Sequence, residues 1–474
     1  MSTVLAFDFG ASTGRAIKAE FDGKTIQYNE VHRFENKPVY DADRLCWDFP
    51  YLLGEVKKAI EMCTDVDSLA FDTWGVDYGL LDENDKLIAL PTNYRDTRTN
   101  GVLQKIFEKI SPTALYTATG NQIMPINTLF QLTAEQEKNA KTLLFMPDLF
   151  AFALSGNKSA ERTIASTSQM YNFASNDWDM AVASLSGKDT ALLQNIIDSS
   201  TIVGAYKGIK VVKVAGHDTQ CAIAAMPVTP GSIPAFLSCG TWSLIGCECE
   251  NAVLTEKSMA DELSNEMGAN GLVNYLKNIS GLWLIQEIRR NFKSMGKAYS
   301  FNDMEQLARQ ENAFVSFIDP DAPEFALPGN VPEKIQEFCK KTNQPVPQSD
   351  GAMVRIIYES LAMKYKFAIS QITENTKKNF DVLHLLGGGT KDSFLCQMTA
   401  NSLGIPVAAG PTEATALGNI LLQLIALGDI KDIAQGRELI RNQENVKTYM
   451  PADTDAWNEA YIKFCNAVII RRKL

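Results

Sequence analysis

The feature that most constrains this chain is a short apolar strand that meets a glycine turn and comes straight back, once in each half of the sequence. In the first half Val4-Leu5-Ala6-Phe7 runs into Gly10-Ala11-Ser12-Thr13-Gly14 and returns as Ala16 to Phe21. In the second, Ala235-Phe236-Leu237-Ser238 runs into Cys239-Gly240-Thr241 and returns as Trp242 to Gly246. Apolar runs of this length bounded by glycine read as buried strands. The echo points to two similar α/β domains, 1–225 and 226–474, joined near residues 220–232. Echoed hairpins alone are poor evidence of duplication. Length supports them: 474 residues exceed what one hydrophobic core usually holds, so two large domains or about three ordinary ones are expected.

A hydrophobic share of 45% and a charged share of 21% are those of a globular protein without disorder. The formal net charge of -11 argues against a nucleic-acid binder, because phosphate backbones are held by clustered Lys and Arg that displace counterions. Nine scattered cysteines without C-x-x-C spacing read as reduced thiols in a cytoplasm, not as disulfides or a zinc site. The three histidines, His32, His217 and His384, are too few for a histidine-rich metal centre. No apolar run reaches the roughly 18 residues that a bilayer-spanning helix needs, and Asp8 interrupts the hydrophobic stretch near the start. Neither membrane insertion nor secretion is expected.

A helix is expected around Leu52 to Met62, and Ser68 to Asp77 followed by Tyr78 to Asp82 reads as strands around a glycine bend. Helical patterning dominates from Thr99 to Leu154. A further strand, Val211-Val212-Lys213-Val214-Ala215, leads into Gly216-His217-Asp218-Thr219. His217 and Asp218 therefore sit at a strand's C-terminal end, where ligands gather in open α/β sheets. Farther on, Leu282, Ile285, Arg289 and Phe292 share a helical face, and Met353, Ile357, Leu361, Tyr365, Ile369 and Ile372 form a longer apolar stripe, both read as core. Val382 to Leu386 is a strand entering Gly387-Gly388-Gly389, with a helix over Ser393 to Leu403. Glu324 to Pro347, rich in proline, reads as a surface loop with one short helix.

Glycine lets backbone N–H groups come close to phosphate, and hydroxyl or basic neighbours add donors, so Gly10 to Arg15 can hold an anion. The segment is not a P-loop: the G-x-x-x-x-G-K-[ST] spacing is missing, and a strand follows where a P-loop has a helix. Asp8-Phe9-Gly10 spells the magnesium tripeptide of protein kinases, but without an H-R-D loop the match is chance. Singly, such glycine turns are more often structural than catalytic. An isolated Asp218 reads as a turn cap, Asp8 as a hairpin cap, and His217 as a packed ring that orients Asp218.

The combination is more specific. An acidic residue ending the first strand, two phosphate-type hairpins, a His-Asp at a strand end and a late triple glycine occur together. With them the chain resembles the FGGY family of carbohydrate kinases, within the ATP-binding folds shared by actin, hexokinase and heat-shock chaperone ATPases. The segments that carry the resemblance are Asp8 to Arg15, His32-Arg33-Phe34, Asp72-Thr73-Trp74-Gly75-Val76-Asp77, Tyr94 to Asn100, Met146-Pro147-Asp148, His217-Asp218-Thr219, Ser238 to Ser243, Lys277-Asn278-Ile279, Gly281-Leu282-Trp283-Leu284, Gly387-Gly388-Gly389 and Gly410-Pro411-Thr412-Glu413-Ala414. They span nearly the whole chain in order. The resemblance implies two ribonuclease-H-like α/β domains flanking a deep interdomain cleft, sugar mainly on the first and ATP mainly on the second. It also implies a last helix, around Ala456 to Ile470, packing back on the first.

Its further implications are chemical. ATP and Mg²⁺ would be the cofactors and a ketose the partner, with no nucleic acid and no membrane. Asp218 would be the catalytic base, and Asp8 would anchor Mg²⁺ through water, since that ion sheds its hydration shell reluctantly. Ala11, Ser12, Thr13, Gly14, Arg15, Thr241, Gln286 and Gly388 would contact ATP. Gly75, His217, Asp218, Thr219 and Asn278 would contact the sugar. Trp74, which reads equally as core, Asp77, and Arg95, which reads equally as an ion-pair partner of Asp96 or Asp72, stay outside this set. The implied reaction moves the γ-phosphoryl group of ATP to O1 of L-rhamnulose, with L-fuculose or another ketose or polyol as the alternative. Two rivals share the fold. Retention of Asp8, Asp218 and both hairpins speaks against a non-catalytic sugar or nucleotide sensor, and the lack of a separate peptide-binding domain after residue 440 against an assembly or chaperone ATPase.

Overall fold

Residues 1–469 are described by the computed structural model, in which the chain forms two compact units. Neither is continuous in sequence. Met1–Pro227, Glu248–Tyr275 and Glu413–Glu444 make the first, and Val228–Cys247, Leu276–Thr412 and the chain from Asn445 onward make the second.

The first unit is built on a six-stranded sheet of β1 (Ser2–Phe9), β2 (Thr13–Phe21), β3 (Ile26–Glu35), β4 (Ser68–Thr73), β5 (Thr201–Tyr206) and β6 (Ile209–Lys213). The spatial order is β5-β6-β4-β1-β2-β3. β1 turns back antiparallel onto β2 through the glycine hairpin and lies parallel to β4, which is in turn parallel to β6. Central strands covered on both faces are apolar on both. Val4 and Ala6 pack with Ile17, Ala19, Leu417, Ile420, Leu421 and Leu424, while Leu5, Phe7 and Phe9 pack on the opposite face with Phe71 and Phe150. Burying each of the larger aliphatic side chains contributes about 1.5–3 kcal/mol.

The cover over Val4 and Ala6 is the helix Ala414–Leu427. Its Gly418 lies so close to the helix Asp218–Ala224 that an added Cβ would fall 1.8 Å from the Cys221 carbonyl oxygen. Two polar side chains on this helix tie it to the sheet. Asn419 Nδ2 donates to Asp72 Oδ2 at 2.7 Å, and Ser68 Oγ donates to Gln423 Oε1 at 2.7 Å.

Two sequence expectations change here. The strand after the Gly75 bend, Tyr78–Leu81, leaves the central sheet and pairs antiparallel with Thr142–Phe145. The helical stretch breaks into Val102–Phe107, Pro112–Thr119, Thr128–Ala134 and Met146–Ser155, with Gly120 and Gly156 ending two of them in the left-handed conformation.

The second unit repeats the plan with β7 (Pro234–Cys239), β8 (Trp242–Cys249), β9 (Val382–Leu386), β10 (Val407–Ala409) and β11 (Lys447–Tyr449), in the order β8-β7-β9-β10-β11. Again an antiparallel hairpin, β7–β8, sits beside a parallel strand, β9. The helices Asp350–Thr376 and Ser393–Leu403 fill its core with Ile357, Leu361, Tyr365 and Leu395.

The helix expected in the proline-rich segment is present, but it is longer and more buried than a surface loop with one short helix implies. Pro332 falls in the first turn of the helix Val331–Lys341, where its missing N–H costs nothing, and Val331, Ile335, Phe338 and Cys339 are buried. The last helix joins the core of the second unit. Thr454–Phe464 puts Trp457, Ala460 and Phe464 into the second unit's core, with Trp457 against Phe314 and Phe464 against Phe317. Ile470, its expected end, lies outside the described residues. The late return to the first unit is made instead by Glu413–Glu444.

Candidate active site

The hairpin between β1 and β2 is held by its own carbonyls. Gly10 N–H donates to Thr13 O at 2.9 Å, Asn36 N–H to Ser12 O at 3.0 Å, and Asn36 Nδ2 to Gly10 O at 2.8 Å. Ser12 and Thr13 remain exposed at the tip. Gly14 is obligatory, because a Cβ there would stand 2.2 Å from the Phe34 ring. Next comes Arg15, which donates to Asp8 and, at 2.5 Å, to Glu413. Burial works against its charge, but the two carboxylates outweigh it and raise its pKa.

Parallel pairing brings three carboxylates together at one end of the sheet. Asp8 is in register with Asp72, and Thr73 bridges to His217 just beyond β6. Asp72 is fully buried; its Oδ2 accepts from Asn419, while its Oδ1 has no partner. Burial and the neighbouring Asp8 carboxylate hold its pKa well above the usual range. Asp218 opens the helix Asp218–Ala224 and accepts from the Thr219 N–H at 2.6 Å. Burial pushes its carboxyl up, His217 pulls it back, and Asp8 pushes it up again.

His217 sits between carboxylates, its Nδ1 2.9 Å from Glu266 Oε2 and its Nε2 3.3 Å from Asp218 Oδ1. Burial opposes a charge on the ring, but Glu266, Asp218 and Glu161 prevail and its pKa lies above the ordinary value. Glu161 fixes the approach to this pair, since its Oε2 accepts from the N–H groups of Thr163 at 2.9 Å, Ile164 at 3.1 Å and Gly216 at 2.9 Å. Among the described residues no cluster of three or more His, Cys, Asp or Glu could hold a metal ion. An ion held by one carboxylate, with water and phosphate oxygens completing its shell, suits Asp8; an all-protein cage does not.

The bend from Trp74 to Asp77 is rigid. Val76 has φ 66°, its N–H reaches Thr167 Oγ1 at 3.2 Å, and its carbonyl accepts from Thr128 Oγ1 at 2.7 Å. A Cβ on Gly75 would press on Thr167 at 3.3 Å. Asp77 accepts from Trp47 Nε1 at 2.7 Å, Trp74 Nε1 at 2.9 Å, Tyr94 N–H at 3.1 Å and Gln131 Nε2 at 2.8 Å. Burial nonetheless raises its pKa to about 6. Trp74 is core, its ring tilted against that of Trp47 with centroids 4.1 Å apart.

In the second unit Thr241 occupies the tip of the β7–β8 hairpin, and its carbonyl accepts from the N–H groups of Gly281 at 3.1 Å and Trp283 at 3.2 Å. A Cβ on Gly281 would meet Ser243 Oγ at 2.5 Å, so this glycine seats the helix Trp283–Ser294 on the hairpin. Gln286 lies in the first turn of that helix. Gly389 would place a Cβ 2.4 Å from Cys239 Sγ, which draws the triple glycine against the same hairpin, while at exposed Gly388 a Cβ would meet nothing within 4 Å. Asn278 lies on the strand Val273–Ser280. Thus Asp8, Ala11 to Arg15, Gly75 and His217 to Thr219 belong to the first unit, and Thr241, Asn278, Gln286 and Gly388 to the second.

Residues 3–226 match the N-terminal domain, and residues 235–427 the C-terminal domain, of the FGGY family of carbohydrate kinases. The chain belongs to that family. This FGGY kinase is 37% identical to the rhamnulokinase of Halalkalibacterium halodurans, over 96% of its own length and 100% of that protein. It is 36% identical to the rhamnulokinase of Bacteroides thetaiotaomicron, over 98% and 99%. Among solved structures, gluconate kinase from Lactobacillus acidophilus superposes with a TM-score of 0.81 at 16% identity, covering 100% of this chain and 98% of that one. Plasmodium falciparum glycerol kinase with ADP gives 0.77 at 14%, with the same coverage. These distant structures establish the fold of the kinase.

Several residues around the predicted set carried no expected role. Glu413 and Asp72 stand inside motifs that pointed to the family, so their signal was present. Asn36 follows such a motif by two positions. Glu266, on the buried strand Ser264–Met267, has no linear signal at all, since only the tertiary fold brings it to His217.

Proposed function

We propose that this FGGY kinase transfers the γ-phosphoryl group of ATP, with Mg²⁺, to O1 of L-rhamnulose, giving L-rhamnulose 1-phosphate and ADP. The end-to-end similarity to proteins named rhamnulokinase supports the sugar. One observation carries the chemistry: of the three carboxylates at the sheet end, Asp218 is the accessible one, with 31% of its side chain exposed against 10% for Asp8, and it faces the His217 ring. Asp218 takes the proton of the O1 hydroxyl as the bond from O1 to phosphorus forms and the bond from phosphorus to ADP breaks, an effect worth about 10²–10⁴-fold.

The other residues position and neutralise. Ala11, Ser12, Thr13 and Gly14 offer hairpin N–H and hydroxyl donors to phosphate, and Arg15 adds its charge, exchanging Glu413 for phosphate oxygens. Thr241 supplies the corresponding contact from the second hairpin. Gln286 lies beside it, and the open face of Gly388 admits adenosine. Asp8 would hold Mg²⁺ through water, and that ion would supply neutralisation of the phosphate charge. Gly75, His217, Thr219 and Asn278 bind the sugar's hydroxyls. No helix among the described residues is long and apolar enough to cross a membrane, and the nine scattered cysteines suit a reducing cytoplasm.

A coupled ADP-release assay over L-rhamnulose, L-fuculose, L-xylulose, D-xylulose and glycerol tests the proposal. L-rhamnulose should give the highest kcat/KM, and Asp218→Asn should lower kcat by about 10²–10⁴-fold. Preference for L-fuculose would overturn the substrate. Absence of sugar-stimulated turnover would overturn the activity, and an Asp218→Asn enzyme at the wild-type rate would remove the base.

A further inference from the structure

The strand Ser264–Met267 is fully buried although its sequence, Ser-Asn-Glu-Met, is mostly polar. Its polar groups are spent on fixing its place. Asn265 Nδ2 donates to the Gly120 carbonyl at 2.9 Å, Asn121 Nδ2 donates to the Asn265 carbonyl at 3.0 Å, and Met267 N–H donates to Ser166 Oγ at 2.8 Å. The residue between them, Glu266, points its carboxylate at His217. Glu266 Oε2 also accepts from Gln220 Nε2 at 2.7 Å, and Gln220 Oε1 accepts in turn from Asn274 Nδ2. A charged side chain on a strand locked at both ends and braced by an amide relay is positioned to within the tolerance that a catalytic arrangement needs.

The ring it faces has a carboxylate on each nitrogen, at 2.9 Å on Nδ1 and 3.3 Å on Nε2. The Nδ1 contact is a hydrogen bond to a carboxylate that only accepts, and at Nε2 the ring stands 3.3 Å from the Asp218 carboxylate as an ion pair, which is attractive only when the ring carries its second proton and a charge. Resting on the kinase reading above, we propose that Glu266 is a positioning residue for the phosphoryl transfer: it holds His217 doubly protonated, with Nε2 directed at Asp218, so that Asp218 meets the sugar hydroxyl as an ionised and oriented base.

The charges around the pair show why such a device is useful. His217 faces Glu266 from the strand Ser264–Met267 and Glu161 from the start of the helix Arg162–Ala165, besides Asp218 on the helix that it precedes. Asp218 faces Asp8 on β1, already paired with Arg15, and lies close to the Asp72 carboxyl on β4 and the Cys221 thiol one turn along its helix. Thr219 favours the carboxylate as a neutral donor, and the titratable groups named here beside His217 are acids or a thiol. The imidazolium is therefore the cation that keeps this carboxylate ionised, and Glu266 is what keeps the ring an imidazolium.

The test separates charge from shape with Glu266→Gln, which keeps the side chain's size and an acceptor oxygen. With three histidines in the chain, ¹⁵N-histidine labelling, assigned through His32→Gln and His384→Gln, reads both nitrogens of His217 directly. In the full-length wild type both should be protonated at pH 7.5. In Glu266→Gln one should lose its proton, and the acidic limb of the kcat/KM profile for the preferred ketose should move up by about 1 pH unit, with activity recovering at higher pH. A merely structural role for Glu266 would lower activity at all pH values alike.

Wild-type spectra showing one protonated nitrogen at pH 7.5 overturn the proposal without any variant, and so does a Glu266→Gln enzyme whose acidic limb stays in place. If the wild type phosphorylates none of the sugars, the kinase reading fails while the spectra still report the ring. If it is active but the limb and spectra are unchanged in the variant, the kinase reading stands and the role of Glu266 falls.

Discussion

Asp77 and Asp218 are both aspartates near the segments proposed to bind sugar, and their surroundings give them different work. Asp77 is completely enclosed and accepts four hydrogen bonds. Replacing it with Ala strands two indole N–H groups, so Asp77→Ala should lose about 2–4 kcal/mol in denaturant unfolding. Its pH signature follows from its folded pKa, raised to about 6 from 3.8. Between those values the native state keeps a proton that the unfolded state has released, so this group's contribution falls as pH rises through that window, by roughly 3 kcal/mol in all. The stability advantage of wild type over Asp77→Asn should therefore shrink from pH 4 to pH 6 and stay level above pH 7; an advantage that grows with pH would contradict the assignment. The sequence displayed the difference between the two aspartates only faintly. Asp218 followed a strand and a histidine, whereas nothing local told that Asp77 would be enclosed by Trp47 and Gln131.

The elements were more legible than their partners. Both glycine hairpins, the long helix Asp350–Thr376 and the helix Ser393–Leu403 follow from apolar period and glycine punctuation. The helix Val331–Lys341 is foreseen only as one short helix in a loop because proline marks loops by composition, yet proline in a first turn is as good a helix start. Tyr78–Leu81 has the pattern of any strand, and its pairing with Thr142–Phe145 is a tertiary choice that no local signal carries. The β1–β2 hairpin depends on an equally distant strap. Asn36→Ala should remove the bond to Gly10 O and raise the KM for ATP about 10-fold while leaving that for the sugar unchanged. At the helix crossing, Gly418→Ala drives a methyl into the Cys221 carbonyl, which should cost about 1–3 kcal/mol or more and appear as a lower melting temperature. An unaltered melting temperature would mean that the two helices can part without loss.

On the scale of the whole molecule, the sequence suggests two successive domains and the family models divide the chain likewise, at 3–226 and 235–427, while the first compact unit also takes in Glu248–Tyr275 and Glu413–Glu444. Glu266 comes from the first piece and the helix over Val4 and Ala6 from the second. Hydrophobic periodicity marks that helix clearly but cannot say which sheet it will cover, and this is why the interruption was invisible. The interruption also sets a timetable for biosynthesis. The inner face of β1 leaves the ribosome long before its cover, Leu417 to Leu424, with a wait between them on the order of 20–80 s at ~5–20 residues per second. Nascent chains stalled just past residue 227 should thus be cut rapidly by protease, and resistance of the first unit should appear only once residue 444 has cleared the exit tunnel. Resistance at residue 227 would show that the early strands shelter themselves. Throughout that wait the nascent chain presents an uncovered sheet face, so its yield in the cell should depend on a holding chaperone more than its final stability would suggest.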